Sequence, residues 1–362
     1  MSAAGYTGEE GLEHPQGLGV CTSILNRWLD IIEVSQAPQG LSVLAVERGY
    51  TDWRRLYADL AAAGCTAFAR REGGLVRMII TRRVVKPRTG LALALGVAVL
   101  ATLYISGLFY VKGAPSGAGG PAWSPLAYLG ALLVPLMIHE SGHYVTMRRY
   151  KVPSSVPIPL PAPPYPWFLG TFGSVILMRW PPPTAEELAL IGIAGPLAGY
   201  VAAIPITVWG LHSSILMHHA PPGTQAAPLV PLSMILLDLA MGPRGSGMIV
   251  MSPPAFAGYV MFFVTFLNLM PIGQLDGGHV VRAALGERGH SIVSKAFILG
   301  LMAASIFYPY LAGFTLIAIL LYFLSGGRHP GPAFPHERLS RKGQAAVALY
   351  AALLILTLPI PS

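Results

Sequence analysis

The chain has 362 residues, 53% of them hydrophobic and 11% charged, with a formal net charge of +8. A soluble globular domain carries about 25% charged residues, so this composition excludes an ordinary soluble enzyme and points to a membrane protein. The basic excess does not indicate nucleic acid, because Lys and Arg gather at the ends of apolar stretches rather than on one aromatic-lined face.

The first 90 residues differ from the rest, holding nine of the 16 acidic and eleven of the 24 basic residues. They predict a small soluble α+β domain over residues 1–88. Within it LSVLAVERG reads as a strand, and TDWRRLYADLAAAG as a helix capped by Thr51 and closed by Gly64. CTAFARREGGLVRMIITR reads as two strands about a Gly-Gly turn. The polar start of the chain lacks the apolar region of a signal peptide. Arg77, Arg82, Arg83, Lys86 and Arg88 precede the first apolar stretch, which places this domain in the cytoplasm. Cys21 and Cys65 are accordingly expected as free thiols in a reducing compartment.

Residues 89–362 predict an all-α polytopic membrane domain of six or seven transmembrane helices, in the cell membrane. Residues 91–111, 124–147, 188–210, 255–270 and 345–360 approach or exceed the roughly 20 apolar residues a span requires. The block 296–324 would be about 43 Å long as one helix, so a hairpin broken at Pro309 is expected, with basic residues (Lys295, Arg328, Arg338, Arg341, Lys342) on both flanks. Arg148, Arg149 and Lys151 mark a second cytoplasmic end, and Arg282, Arg288 and Lys295 a third. The loop between the third and fourth spans has only Asp238 and Arg244, so it belongs outside, with His212, His218 and His219 solvated and PLVPLSMILLDLAMG as a short interfacial helix.

The chemistry begins at MIHESGHYVT. On a helix His139 and His143 lie about 40° apart and one turn from each other, so both imidazoles reach one metal ion. Glu140 follows the first ligand, where it can take a proton from water rather than bind the ion. An ionisable residue at the centre of a span costs ~2.5–3.5 kcal/mol, so such residues are functional candidates by default. A third ligand is needed, and only seven acidic residues follow position 90. Asp276 stands out in NLMPIGQLDGGHV, where Pro271, Gly273, Gly277 and Gly278 predict an unwound helix. Irregular backbone at membrane depth is tolerated only where protein or a watery cavity surrounds it.

HESGH paired with NLMPIGQLDGG resembles the two signatures of the site-2 protease family of intramembrane zinc metalloproteases, HExxH and NxxPxxxLDG. The intervening GTFGSVILMRWPPPTAEELALIGIAGPLAG is similar to the archaeal and chloroplast branch, and the likeness runs over about residues 120–290, with a weaker echo at GGRHPGP. The resemblance implies a three-helix catalytic core, one zinc per chain held by His139, His143 and Asp276, and Glu140 as catalytic base. It also implies substrates that are membrane proteins with a transmembrane helix, cut near the cytoplasmic face of the bilayer.

Asn268, eight residues before Asp276, either binds the substrate backbone or oxyanion or ties together a broken helix. The segment 153–180 is Pro-rich and then strand-like, and offers either a docking edge for extended substrate or a simple cover. Gly195 and Gly199 form a small-residue step for close helix packing, and His279 is a neighbour of the ligand motif rather than a ligand. Two rivals are weighed. A CAAX-processing type of metalloprotease would need a glutamate ligand, for which only Glu186 and Glu187 are available, at a helix start where acids are expected anyway. A metal transporter or channel would share the His and Asp ligands but not require Glu140.

Overall fold

A computed structural model describes residues 18–361, apart from 39, 50, 83–88, 116, 166–167, 177, 179, 219–226, 243–246 and 335–338. Arg83, Lys86, Arg88, His219, Arg244 and Arg338 therefore lie outside the described residues. The N-terminal part runs α1 (Gly19–Trp28), β1 (Leu29–Ala37), β2 (Gly40–Glu47), α2 (Trp53–Ala62), β3 (Cys65–Glu72) and β4 (Leu75–Arg82), with an antiparallel sheet in the order β1-β2-β4-β3. The turn between β3 and β4 is the anticipated Gly73-Gly74, both at positive φ (57° and 91°), where a side chain would be strained. Asp52, not Thr51, caps α2: its carboxylate accepts from the N–H groups of Arg54 and Arg55, while Thr51 is buried.

The two helices cover one sheet face. Leu25, Leu29, Val43, Leu56, Leu60, Met78 and Ile80 close that core. Sequence reasoning missed α1 and β1, because the helix is short and opens on Gly19, and most of β1 is exposed. Contrary to expectation, Cys21 and Cys65 are joined in a disulfide between α1 and the start of β3. The spacing of 44 residues hid a pairing that only the sheet brings together. Trp180, Ala333 and Phe334 complete this same core from far along the chain, so the unit is built partly from residues beyond 88.

The remainder runs α3 (Thr89–Lys112), α4 (Pro125–Arg149), β5 (Ile158–Pro161), β6 (Thr171–Val175), α5 (Ala185–His212), β7 (Ile215–Met217), β8 (Leu229–Pro231), α6 (Leu232–Ala240), β9 (Met248–Val250), α7 (Pro253–Leu269), α8 (Asp276–Phe307), α9 (Ala312–Leu324), α10 (Arg341–Leu356) and β10 (Pro359–Pro361). α5 is the axis of the bundle, packed by α4, α7, α8 and α10. Its start is capped by Thr184, whose hydroxyl oxygen accepts from Glu186 N–H and whose O–H donates to the Glu187 carboxylate.

α3, α5 and α8 are long and apolar enough to cross a membrane, and α7 and the α9 segment are shorter apolar helices. Among the described residues the three long helices account for part of the six or seven spans expected. α4 carries His139, Glu140, His143, Arg148 and Arg149 in its second half, and α7 has 17 residues. α8 is two helices meeting at Gly286, whose φ of 72° breaks the run. The expected hairpin is present: a short 3₁₀ turn at Pro309–Leu311 separates α8 from α9, and the hydroxyls of Ser305 and Thr315 bond at 2.6 Å across it. Large apolar side chains face outward on α3 (Leu93, Val97) and on α9 (Leu316, Phe323, Leu324), as a lipid-facing surface requires.

The disulfide generates a direct test. Denatured without reductant, the chain should offer no alkylatable thiol, and after reduction two. Closing a loop of this length contributes about 4 kcal/mol, so reduction should visibly sensitise residues 18–82 to limited proteolysis.

Candidate metal centre

α4 presents His139 and His143 one turn apart toward α5 and α8, and α8 begins at Asp276. His139 Nε2 lies 3.4 Å from Asp276 Oδ2, His143 Nε2 lies 3.3 Å from the same oxygen, and the two Nε2 atoms are 3.2 Å apart. These three atoms thus form a nearly equilateral triangle. A tetrahedral zinc with bonds of about 2.0–2.1 Å has ligand–ligand edges of about 3.3–3.4 Å, so the donor set fits that ion. It is the one such cluster of three among the described residues. The imidazoles are buried and the carboxylate is 18% exposed, which leaves one side of the triangle open.

The tautomer suits a metal ligand. His143 Nδ1 lies 2.8 Å from the carbonyl oxygen of Ile191, which can only accept, so that nitrogen carries the proton and Nε2 keeps its lone pair. His139 Nδ1 is buried with no hydrogen-bond partner among the described residues.

Small residues make the convergence possible. A Cβ at Gly195 would stand 2.1 Å from His143 Nε2, and one at Gly199 would stand 2.8 Å from His139 Cβ. One at Gly192 would meet the Asp276 carbonyl at 2.8 Å, and one at Gly142 on α4 would meet the Ala194 carbonyl at 2.5 Å. The packing role expected for Gly195 and Gly199 is therefore observed. The rings of the two histidines occupy the space their side chains would need.

Asp276 reaches the pair because the chain unwinds between α7 and α8, as Pro271 and the glycines predict. Gly273 sits at φ 52°, and a Cβ at Gly277 would stand 2.1 Å from the Leu269 carbonyl. Ser294 donates to the Pro271 carbonyl at 2.6 Å and His290 to the Gly273 carbonyl at 3.1 Å, so the unwound loop finds its hydrogen bonds inside the protein.

Glu140 lies beside the triad, with the Ser174 side chain of β6 close to its carboxylate. Asn268 is half-buried near the end of α7, and its amide makes no hydrogen bond among the described residues. His279 lies outside the triad, and its Nδ1 faces His329 at 2.5 Å. Glu186 and Glu187 are paired with Arg54 at 3.1 and 2.6 Å, away from the triad. Sequence reasoning missed Ser174, His290 and His329. The only signal was the rigid Pro and Gly setting of GGRHPGP, which says that a turn is fixed but not where it lands.

Comparison with known proteins places this geometry. The chain is 31% identical over 173 residues to "Probable zinc metalloprotease EGY1, chloroplastic" of Oryza sativa subsp. japonica, covering 45% of this chain and 28% of that protein. It is 29% identical over 169 residues to the Arabidopsis thaliana protein of the same name, with 45% and 30% covered. It is 25% identical over 247 residues to "Probable zinc metalloprotease EGY2, chloroplastic" of Oryza sativa subsp. indica, with 64% and 43% covered. The matched part thus spans less than half the length of these relatives. No solved structure matches. The match to Peptidase family M50 covers residues 127–309, half of the chain and all three candidate ligand positions, so the chain belongs to that family, the site-2 proteases.

Proposed function

We propose that this chain is an intramembrane zinc metalloendopeptidase that hydrolyses peptide bonds within or near the transmembrane segments of membrane proteins. The observation that carries this reading is the triangle of His139, His143 and Asp276, whose edges of 3.2–3.4 Å suit one zinc ion per chain. Zinc in such a site polarises the scissile carbonyl and lowers the pKa of water toward ~7. Glu140 takes the proton from the attacking water and returns it to the leaving amine. Ser174 fixes the orientation of that carboxylate while it does so. Asn268, whose amide is unengaged, is assigned to the substrate backbone or the developing oxyanion.

A transmembrane helix hides its own peptide bonds, so substrate must become extended before attack. β5 and β6 form a two-stranded sheet, and the outer edge of β6 is unpaired among the described residues. An extended substrate adding to that edge would run past Ser174 and Glu140. We place the chain as a multi-pass protein of the cell membrane with six or seven spans, a catalytic core over about residues 120–290, and residues 1–88 as a cytoplasmic domain. The basic residues before α3 support that orientation, whereas the Cys21–Cys65 disulfide favours an oxidising side. Protease protection of residues 18–82 in sealed inside-out and right-side-out vesicles decides between them.

The alternative of a metal transporter or channel is separated by one residue. Glu140→Gln should lower cleavage of a membrane-embedded reporter by about 10²–10⁴-fold and still hold one zinc. If the variant cleaves at the wild-type rate, the protease mechanism is wrong; ion uptake into sealed vesicles by the variant would establish the transporter. Chelation should abolish cleavage, and restored zinc should recover it. Gly195→Ala should lose zinc outright, read by metal analysis, because its methyl occupies the place of the His143 ring. Asn268→Ala should reduce kcat by about 10²–10³-fold with zinc content unchanged.

A further inference from the structure

The segment 328–334, after α9, touches both the metal centre and the N-terminal unit. At its near end His329 is buried, and its ring packs edge-on to His279 with centroids 4.7 Å apart. Gly331 N–H lies 2.9 Å from His329 Nδ1, so that nitrogen accepts and the ring proton sits on Nε2. Nε2 then donates to His279 Nδ1 at 2.5 Å. His279 is one helical turn from Asp276 on the same face of α8. Arg282, on the next turn, donates to the His329 carbonyl at 3.4 Å and lies over Gly331, where a Cβ would stand 2.6 Å from the guanidinium. The first two turns of α8, which carry the acidic ligand, are thus held by this one segment.

At its far end the same segment is tied down by backbone hydrogen bonds. Ala333 N–H donates to the Pro182 carbonyl and Phe334 N–H to the Pro183 carbonyl, both at 2.8 Å, while Ala69 N–H on the edge strand β3 donates to the Ala333 carbonyl at 2.9 Å. Phe334 is fully buried in the N-terminal core, 4.8 Å from the Trp53 ring. Tyr57 donates to the Pro181 carbonyl at 2.9 Å, and burial beside Glu187 raises its phenol well above the ordinary range, so it remains a donor.

We propose that His329 is a positioning residue for the ligand Asp276, and that the strap 328–334 makes the seating of the N-terminal α+β unit a condition for a tight metal site. The unit acts as a clamp on the metal centre through a hydrogen-bond chain from β3 to α8. Unseating it frees the strap, releases His279 and loosens the aspartate. This rests on Asp276 being a metal ligand, as in the function proposed above.

The test measures zinc transfer to a chelator, and the visible spectrum of the cobalt-substituted protein, in the full-length chain. His329→Leu fills the site but cannot donate, and should release zinc about 10–100-fold faster with a shifted cobalt spectrum. His329→Gln, which can donate to His279, should recover most of the wild-type behaviour. Phe334→Ala, remote from the metal, should accelerate release in the same direction, and the His329→Leu/Phe334→Ala double variant should be no faster than the faster single one. Folded His329→Leu with wild-type release and spectrum overturns the proposal. Should that variant not fold, wild-type release from Phe334→Ala together with Trp53→Ala overturns it equally. An effect of His329→Leu without any effect of Phe334→Ala removes the clamp role of the N-terminal unit. His139→Ala is the control for the underlying reading: if it holds zinc as tightly as the parent, the metal site itself is misassigned, which is a different failure.

Discussion

Three helices meet at a point where one of them has no side chains to spare. The imidazoles of His139 and His143 rest against the bare backbone of α5 at Gly199 and Gly195, and Asp276 enters past Gly192 on the same helix. Any side chain at those positions would push α4 or α8 away from α5 by more than the tolerance of a coordination sphere. Protein interiors are close-packed and transmit such strain rather than absorb it. The arrangement of the three donors is therefore a property of α5 as much as of the helices that carry them.

That dependence explains what the sequence could disclose. HESGH and LDGG reveal donors because their spacing has a direct geometric meaning on a helix and at a helix break, and the triangle follows from them. The glycines of α5 are visible as small residues, but nothing local says which ring each one receives. His329 and His290 are a stronger case of the same limit. His329 acquires a role only when a loop 50 residues after His279 returns to α8, and His290 only when α8 folds back over the Gly273 carbonyl 17 residues before it. Likewise the disulfide needs the sheet before its two halves meet, and Asp52 displaced Thr51 as cap because both are good N-cap residues and only backbone geometry chooses between them.

The membrane spans show a different limit. Composition makes almost every apolar stretch after residue 90 resemble a membrane crossing, whereas the folded chain divides those residues between long apolar helices and short or polar ones such as α6, α7 and the second half of α4. A helix that carries His139, Glu140, His143 and two arginines lowers its own hydropathy. Hydropathy is thus least informative at the place where the function sits.

The strap bonds to the β3 edge of the N-terminal sheet at Ala69, and among the described residues β1 is the opposite border. Exposed Ile32 and Val34 on β1 would suit it to recruit a strand from another molecule. Yet the ladder of β1 slips between Ile31 and Glu33, and Asp30 and Glu33 place charge along it. A bulge and acidic side chains are the means by which edge strands resist fibril-like stacking. The protein can therefore present a partly apolar border to solvent without polymerising through it.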